Sequence, residues 1–271
     1  MEVVPIQTSG DERRGEPAPP GGDKSRYVKE IEDALLRSEV DLAVHSAKDV
    51  PSELPDRLQI VGVPERADPR DALCGSARSL DELPDRATVG TSSLRRRAQL
   101  LARRPDLRVE DLRGNVDTRL RRLGEGRYDA LVLAAAGLAR LGREEGEPLP
   151  LEVMTPAPGQ GCLALEARVE DERAAAIGTA LTHRPSLECL TAERALVAEL
   201  DASCRTPVAA HAVHADGRLV LSAFVGLPDG GHWIRDALDC DAADPAELGR
   251  ALAARLVSAG AVEVLQAAET A

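Results

Sequence analysis

Apolar positions along this chain fall into short blocks separated by turn-forming residues. Asp41-Leu-Ala-Val44 is an apolar run of the kind a buried parallel strand shows. It opens into His45-Ser46-Ala47-Lys48-Asp49, and Val50-Pro51 then forbids a helix from starting at once. Leu58 to Val63, Ala87 to Gly90, Leu107 to Val109, Tyr128 to Ala134 and Cys162 to Ala167 read as further strands, and Met1 to Gln7 as one more. Between them the spacing turns helical. Val28, Ile31 and Leu35 share one face within Tyr27 to Arg37, and helices are expected from Thr91-Ser92-Ser93 through Ala102 and from Leu112 to Gly124. Glu170 to Thr182 and Ser186 to Leu200 are helical in pattern as well. Pro64 to Arg70 and Pro156 to Gly161 read as crossing segments, and the charged stretch Asp11 to Asp23, rich in proline and glycine, as a loop without a core.

The C-terminal part changes character. Val208 to Val213, Leu219 to Val225 and His232 to Leu238 are three strands joined at Asp216-Gly217 and Pro228 to Gly231, both strong hairpin signals. Asp244-Pro245 opens a final amphipathic helix, so this part is expected to be a small antiparallel α+β unit. At 271 residues the chain has room for two or three domains. It is 43% hydrophobic and 30% charged with a mean hydropathy of −0.22, and no apolar run approaches a membrane span. The five cysteines (Cys74, Cys162, Cys189, Cys204, Cys240) show no metal-ligand or disulfide spacing. A net charge of −12 argues against nucleic-acid binding, and a cytoplasmic protein is expected. Lysine is nearly absent (Lys24, Lys29, Lys48), so arginine carries the positive charge.

Candidate chemistry lies at the strand ends, where open α/β sheets bind ligands. Lys48 and Asp49 follow the first block; read alone, they serve equally as surface charges on a solvated exit. Thr91, Ser92 and Ser93 are N-cap candidates for a helix whose first turn carries Arg95 and Arg96, where the macrodipole favours anions. A bound anion would explain them; arginines in water are the alternative. Arg113 and Arg119 follow the next strand and Arg140 the one after. Arginine forks grip carboxylates in pairs of hydrogen bonds, so the common placement points to a substrate with several carboxylates. Cys204, in a small-residue loop after a helix, is the thiol placed to react.

VHSAKDVP, ERADPRDAL, VGTSSLRRRAQL, LRGNVDTRL, AAGLARLG, PAPGQG, TAERA and the Cys204 loop occur here in the order found in the porphobilinogen deaminase (hydroxymethylbilane synthase) family, which the chain resembles along its whole length. The resemblance implies an α/β fold of two lobes like type II periplasmic binding proteins plus a small C-terminal α+β domain with a three-stranded antiparallel sheet. The first lobe would be 1–64 with 163–182, the second 69–158, and the cofactor-attachment domain 184–271. It implies a monomeric enzyme of heme biosynthesis that joins four porphobilinogen molecules with loss of ammonia, releases hydroxymethylbilane, and primes the chain on a dipyrromethane bound through a thioether to Cys204. Asp49 matches the family's catalytic carboxylate, beside Lys48. It would stabilise the cationic azafulvene left when ammonia departs and the charge on the attacking pyrrole. Arg95, Arg96, Arg113, Arg119 and Arg140 match the arginines holding acetate and propionate arms. Ser46, Thr91, Ser93 and Gln160 line the family's cleft, and Lys24 matches a lysine of its lid loop; no metal is implied.

The chain departs from the family pattern in three places. Ala202 and Ser203 stand where two glycines usually precede the cysteine, and Gly21 to Tyr27 is a loose match to the lid. MEVVPIQTSGD aligns with the family's second strand, so the opening strand, a loop bearing a catalytic arginine and serine, and a helix have no counterpart; the expectation is poor solubility or little activity for the chain alone. Two other readings remain: a two-lobed binding protein, which has no use for Cys204 or a third domain, and an inactive or truncated family member that keeps the fold without catalysis.

Overall fold

The computed structural model describes residues 2–8, 25–51, 53–202, 206–241 and 244–270, and three separate sheets carry its architecture. The first sheet has the order β1 (Ala43–Ser46), β8 (Leu163–Arg168), β2 (Leu58–Gly62). Helix α1 (Ser25–Leu36) packs Leu35 against Ala43 and Leu58. β8 runs antiparallel to both neighbours. β1 is thus not the parallel strand its apolar run suggests within the described ladders. Ala43 and His45 face inward while Val44 is 59% exposed, the alternation of a half-covered strand. Four apolar residues carry no information about direction; that is fixed by β8 returning from the second lobe. Nor do residues 2–8 form a strand. Val3 and Val4 are exposed, and Pro5 removes a ladder donor from the middle of the stretch.

The second sheet, β5-β4-β6-β3-β7, comprises β3 (Asp71–Gly75), β4 (Thr88–Gly90), β5 (Arg108–Glu110), β6 (Ala130–Ala134) and the two-residue β7 (Glu147–Pro148). β4 lies between β5 and β6 and runs parallel to both, so the three carboxyl ends lie side by side. Helices α2 (Leu94–Arg103), α3 (Val116–Gly124) and α4 (Ala135–Arg140) start there. Ser93 caps α2 and Asn115 caps α3, each accepting from a backbone N–H three residues on. β3 escapes the sequence pattern because its apolar stretch is only Ala72-Leu73-Cys74 behind a charged residue.

Helices α5 (Glu172–Leu181) and α6 (Arg184–Glu199) follow β8. The third sheet is the predicted antiparallel meander, β9 (Val208–Ala215), β10 (Arg218–Gly226) and β11 (Trp233–Cys240), whose largest core joins α6 to α7 (Pro245–Ser258) and α8 (Ala261–Thr270). The expected single final helix is two, broken at Gly260, whose φ of +97° leaves the helical region. Among the described residues no single helix is long and apolar enough to cross a membrane.

Candidate active site

The two crossing segments set the geometry. In Pro156 to Gly161 the chain turns at Gly159 (φ +72°), where a Cβ would lie 3.0 Å from the backbone of Ala47 and Lys48. It turns again at Gly161 (φ +89°), where a Cβ would meet the Ala67 carbonyl at 2.5 Å. Only glycine permits this approach, so one crossing segment lies against both the Lys48-Asp49 loop and the other crossing. Asp49 ends a one-turn 3-10 helix, Ala47–Asp49, that follows β1 directly.

These segments border a cleft of about 610 Å³. Lys48 and Asp49 line it from the first sheet, and Ser93, Arg95, Arg96 and Arg119 from the second. Gln160 comes from the crossing segment, and Arg194, Asp201, Ala202 and Thr206 from the third unit. Lys48 and four arginines face three acidic side chains, Asp49, Glu53 and Asp201, so an acidic protein has a cleft with positive excess. The other expected site residues lie behind or beside it. Thr91 is buried and its Oγ1 accepts from the Ser93 N–H at 3.2 Å. Exposed Arg140 donates to the Gly161 carbonyl at 2.9 Å. Ser46 and the exposed Arg113 do not border the cleft. Lys24 and Cys204 lie outside the described residues, although Ala202 and Thr206, on either side of the cysteine in sequence, both border the cleft.

Arg95 and Arg96 are not simply solvated, and the anion beside them is internal. Asp71, fully buried at the head of β3, accepts from Arg95 Nη1 and Nη2 (2.7 and 3.2 Å), Arg96 Nε (2.9 Å) and Gln160 Nε2 (3.0 Å). Burial opposes charge on Asp71, but the two guanidinium groups outweigh it and hold the carboxyl well below the usual carboxylate range. Burial in turn pulls Arg95 down from its ordinary value, opposed by Asp71. Arg96 Nη1 donates to the Val132 carbonyl and Arg95 Nη1 also to that of Thr155. Among the described residues, Arg95 Nε and Gln160 Oε1 are buried without a protein partner.

Three residues of this region escape sequence reasoning. Asp71 stands inside a recognised motif, and its only other signal is a charge heading a buried strand. Glu193 and Arg194 also stand inside a recognised motif, TAERA, where they read only as adjacent charges on an otherwise apolar stretch of α6. Arg194 donates to the Val50 and Pro51 carbonyls (3.3 and 2.7 Å), bracing the segment after Asp49; burial lowers its pKa. Glu193, also fully buried, accepts from Arg66 Nη1 (2.6 Å), Gly159 N (2.6 Å) and Ala212 N (2.7 Å), tying both crossing segments to β9. Burial raises its pKa, but Arg66 and then His211 bring it below the ordinary value.

Residues 1–176 match the family model described as porphobilinogen deaminase, dipyromethane cofactor binding domain, and residues 187–258 the one described as porphobilinogen deaminase, C-terminal domain. The porphobilinogen deaminase of Deinococcus radiodurans is 47% identical over 273 residues, covering 98% of this chain and 88% of its own length. Among solved structures, YhfZ from Shigella flexneri gives a TM-score of 0.30 at 21% identity, over 63% of this chain and 77% of that one. The periplasmic sulfonate-binding protein SsuA of Methylobacillus flagellatus gives 0.35 at 12% identity, over 60% and 50%. Likenesses that slight carry no argument. The family models and the close relative do: this chain belongs to the porphobilinogen deaminase family.

Proposed function

We propose that this chain joins four porphobilinogen molecules head to tail, releasing ammonia at each addition and hydroxymethylbilane at the end, as a transferase of tetrapyrrole and heme biosynthesis. The observation that carries the reading is the cleft itself. In a chain of this family it brings Asp49 and a positive wall of arginines to one place, bordered by the two residues nearest Ser203 to Arg205. Cys204 would hold the dipyrromethane through a thioether, with Asp49, Lys48, Ser93, Arg95, Arg96 and Gln160 lining the cleft around it; Ser46, Thr91 and Lys24 are assigned to the same group on the family resemblance alone. When bound, that group supplies the pyrrole terminus on which the product is built.

The chain's own residues do the rest. Arg95, Arg96 and Arg119 line the cleft and grip acetate and propionate arms, fixing the reacting carbons near one another, while Arg113 and Arg140, beside it, are assigned to such arms on the family resemblance alone. Asp49 faces the positive charge that develops on the substrate when ammonia leaves; its carboxylate stabilises that charge and takes the proton from the α-carbon of the attacking pyrrole once the new carbon–carbon bond has formed. Lys48, the cleft's only lysine among its described lining residues, adds to the attraction for carboxylates.

The three separate sheets support the division into 1–64 with 163–182, 69–158, and 184–271. A cytoplasmic location is supported by four unpaired thiols among the described residues, Cys74, Cys162, Cys189 and Cys240. A monomer that binds neither nucleic acid nor membrane completes the reading, in keeping with the net charge of −12.

Intact-mass spectrometry of the purified chain tests it. A covalent dipyrromethane is expected, mapping to Cys204 and absent from Cys204→Ser. An adduct on another cysteine sinks the assignment, and no adduct with no deaminase activity favours a family member without catalysis. In the loaded enzyme Asp49→Asn should lower kcat by about 10²–10⁴-fold while changing KM little.

A further inference from the structure

Glu166, fully buried in the middle strand of the first sheet, takes part in no step assigned above. In the β1–β8 ladder it stands opposite Ala43, and Ala164 opposite His45, so Glu166 and His45 are diagonal neighbours on one face. His45 is buried too, and its Nε2 hydrogen-bonds Glu166 Oε2 at 2.9 Å. The same face carries Cys162 and Ala164, which pack in one core with Ala47, Val50 and Leu190. Leu190 brings α6 over the sheet, and Arg194 stands one helical turn further on. Burial opposes the Arg194 charge, and Glu166 is the charge that offsets it. The guanidinium in turn holds the Val50 and Pro51 carbonyls. One carboxylate thus reaches both ends of the turn that carries Lys48 and Asp49: His45 comes before that turn, and the two carbonyls belong to the residues directly after it.

We propose that Glu166 is a positioning residue for Asp49, fixing the turn from Ser46 to Pro51 at its front through His45 and at its back through Arg194. The inference rests on the reading of Asp49 as the carboxylate that faces the reacting carbons. Such a carboxylate has to keep one place through successive additions, and an error of about 1 Å costs about 100-fold in rate. Within the turn the Val50 N–H donates to the Ala47 carbonyl, and the Ala47 N–H ties its start to the Cys162 carbonyl. Glu166 secures the side chains and carbonyls on either side of those bonds. A buried carboxylate adds little net stability, and among the described residues Glu166 Oε1 has no hydrogen-bond partner. What such a group supplies, next to a turn that borders the cleft, is placement.

Glu166→Gln keeps the side chain's size and an acceptor for His45, and removes the charge that faces Arg194. In the loaded enzyme kcat should fall about 10–100-fold, with KM for porphobilinogen within about twofold of native. Hydrogen–deuterium exchange followed by mass spectrometry reads the turn without turnover. The Ala47 and Val50 amides should exchange about tenfold faster while those of β10 keep their native rates. Faster exchange throughout the chain marks a general loss of stability and overturns the proposal. Combined with Asp49→Asn, Glu166→Gln should change kcat by less than about threefold, because its effect passes through a carboxylate already removed. An added fall as large as in the native background overturns the proposal as well. His45→Leu keeps both buried charges and breaks only the front attachment, so it provides the measurement if Glu166→Gln does not fold. It should show the same local exchange and the same loss of kcat. His45→Gln, whose amide N–H can reach the same oxygen, should restore kcat to within about threefold of native. Native kcat and native exchange in folded Glu166→Gln, or in His45→Leu, overturn the proposal. If Asp49→Asn turns over at the native rate, the reading of Asp49 fails, and this inference falls with it.

Discussion

Glu193 is the strongest single test of how the cleft is held together. Its carboxylate is fully buried, Arg66 beside it is 9% exposed, and the bonds to Arg66, Gly159 and Ala212 join three parts of the chain that meet nowhere else in sequence. Glu193→Ala strands a buried guanidinium, which costs about 3–5 kcal/mol. It also takes the acceptor from two backbone N–H groups, worth about 1–3 kcal/mol each when unsatisfied. These losses overlap, and a net destabilisation of about 5 kcal/mol is expected, a large share of the roughly 5–15 kcal/mol that holds a domain folded. At about 2–4 °C per kcal/mol the melting temperature should drop by roughly 10–20 °C in calorimetry or circular dichroism at pH 7. The effect has a defined pH dependence. Glu193 is held below its ordinary value of 4.5, so the folded state favours its charged form. The stabilisation is complete above that ordinary value and is lost as pH falls through the lowered one, so acidification should narrow the gap between native and variant. A drop of less than about 3 °C at pH 7, or a gap that widens in acid, refutes the argument.

The buried thiols should be inert: burial pushes Cys162 up to about 12 and Cys74 and Cys189 to about 11, so iodoacetamide at pH 8 should leave all three unmodified until the chain is unfolded, as read by peptide mass mapping. Gly178→Ala should destabilise by about 1–3 kcal/mol, because its Cβ would lie 2.5 Å from the Val61 carbonyl where α5 crosses β2. Gly124→Ala, with nothing within 4 Å of the added methyl, should melt at or slightly above the native temperature, and equal melts for the two variants would contradict that packing.

Local chemistry was legible in the sequence because it acts over a few residues. Ser93 caps α2, Asp244 caps α7, and Asp216-Gly217 turns the β9–β10 hairpin with both φ values positive, as Asp-Gly predicts. Most strands and helices followed from hydrophobic period, though not β3, the two-residue β7 or the break at Gly260, and the family followed from long motifs whose residues stand in line. Tertiary structure decided what meets across the chain. An arginine-rich first turn asked for an anion, but only the fold supplied it as Asp71, 24 and 25 residues earlier and heading a strand too short to recognise. The direction of β1 depended on β8, more than a hundred residues away, and no four-residue run can encode that. Glu193 looked like one more charge on a helix until Arg66, Gly159 and Ala212 closed around it. A buried charge is tolerated only where its partners converge, and that convergence is set by chain topology rather than by any local signal.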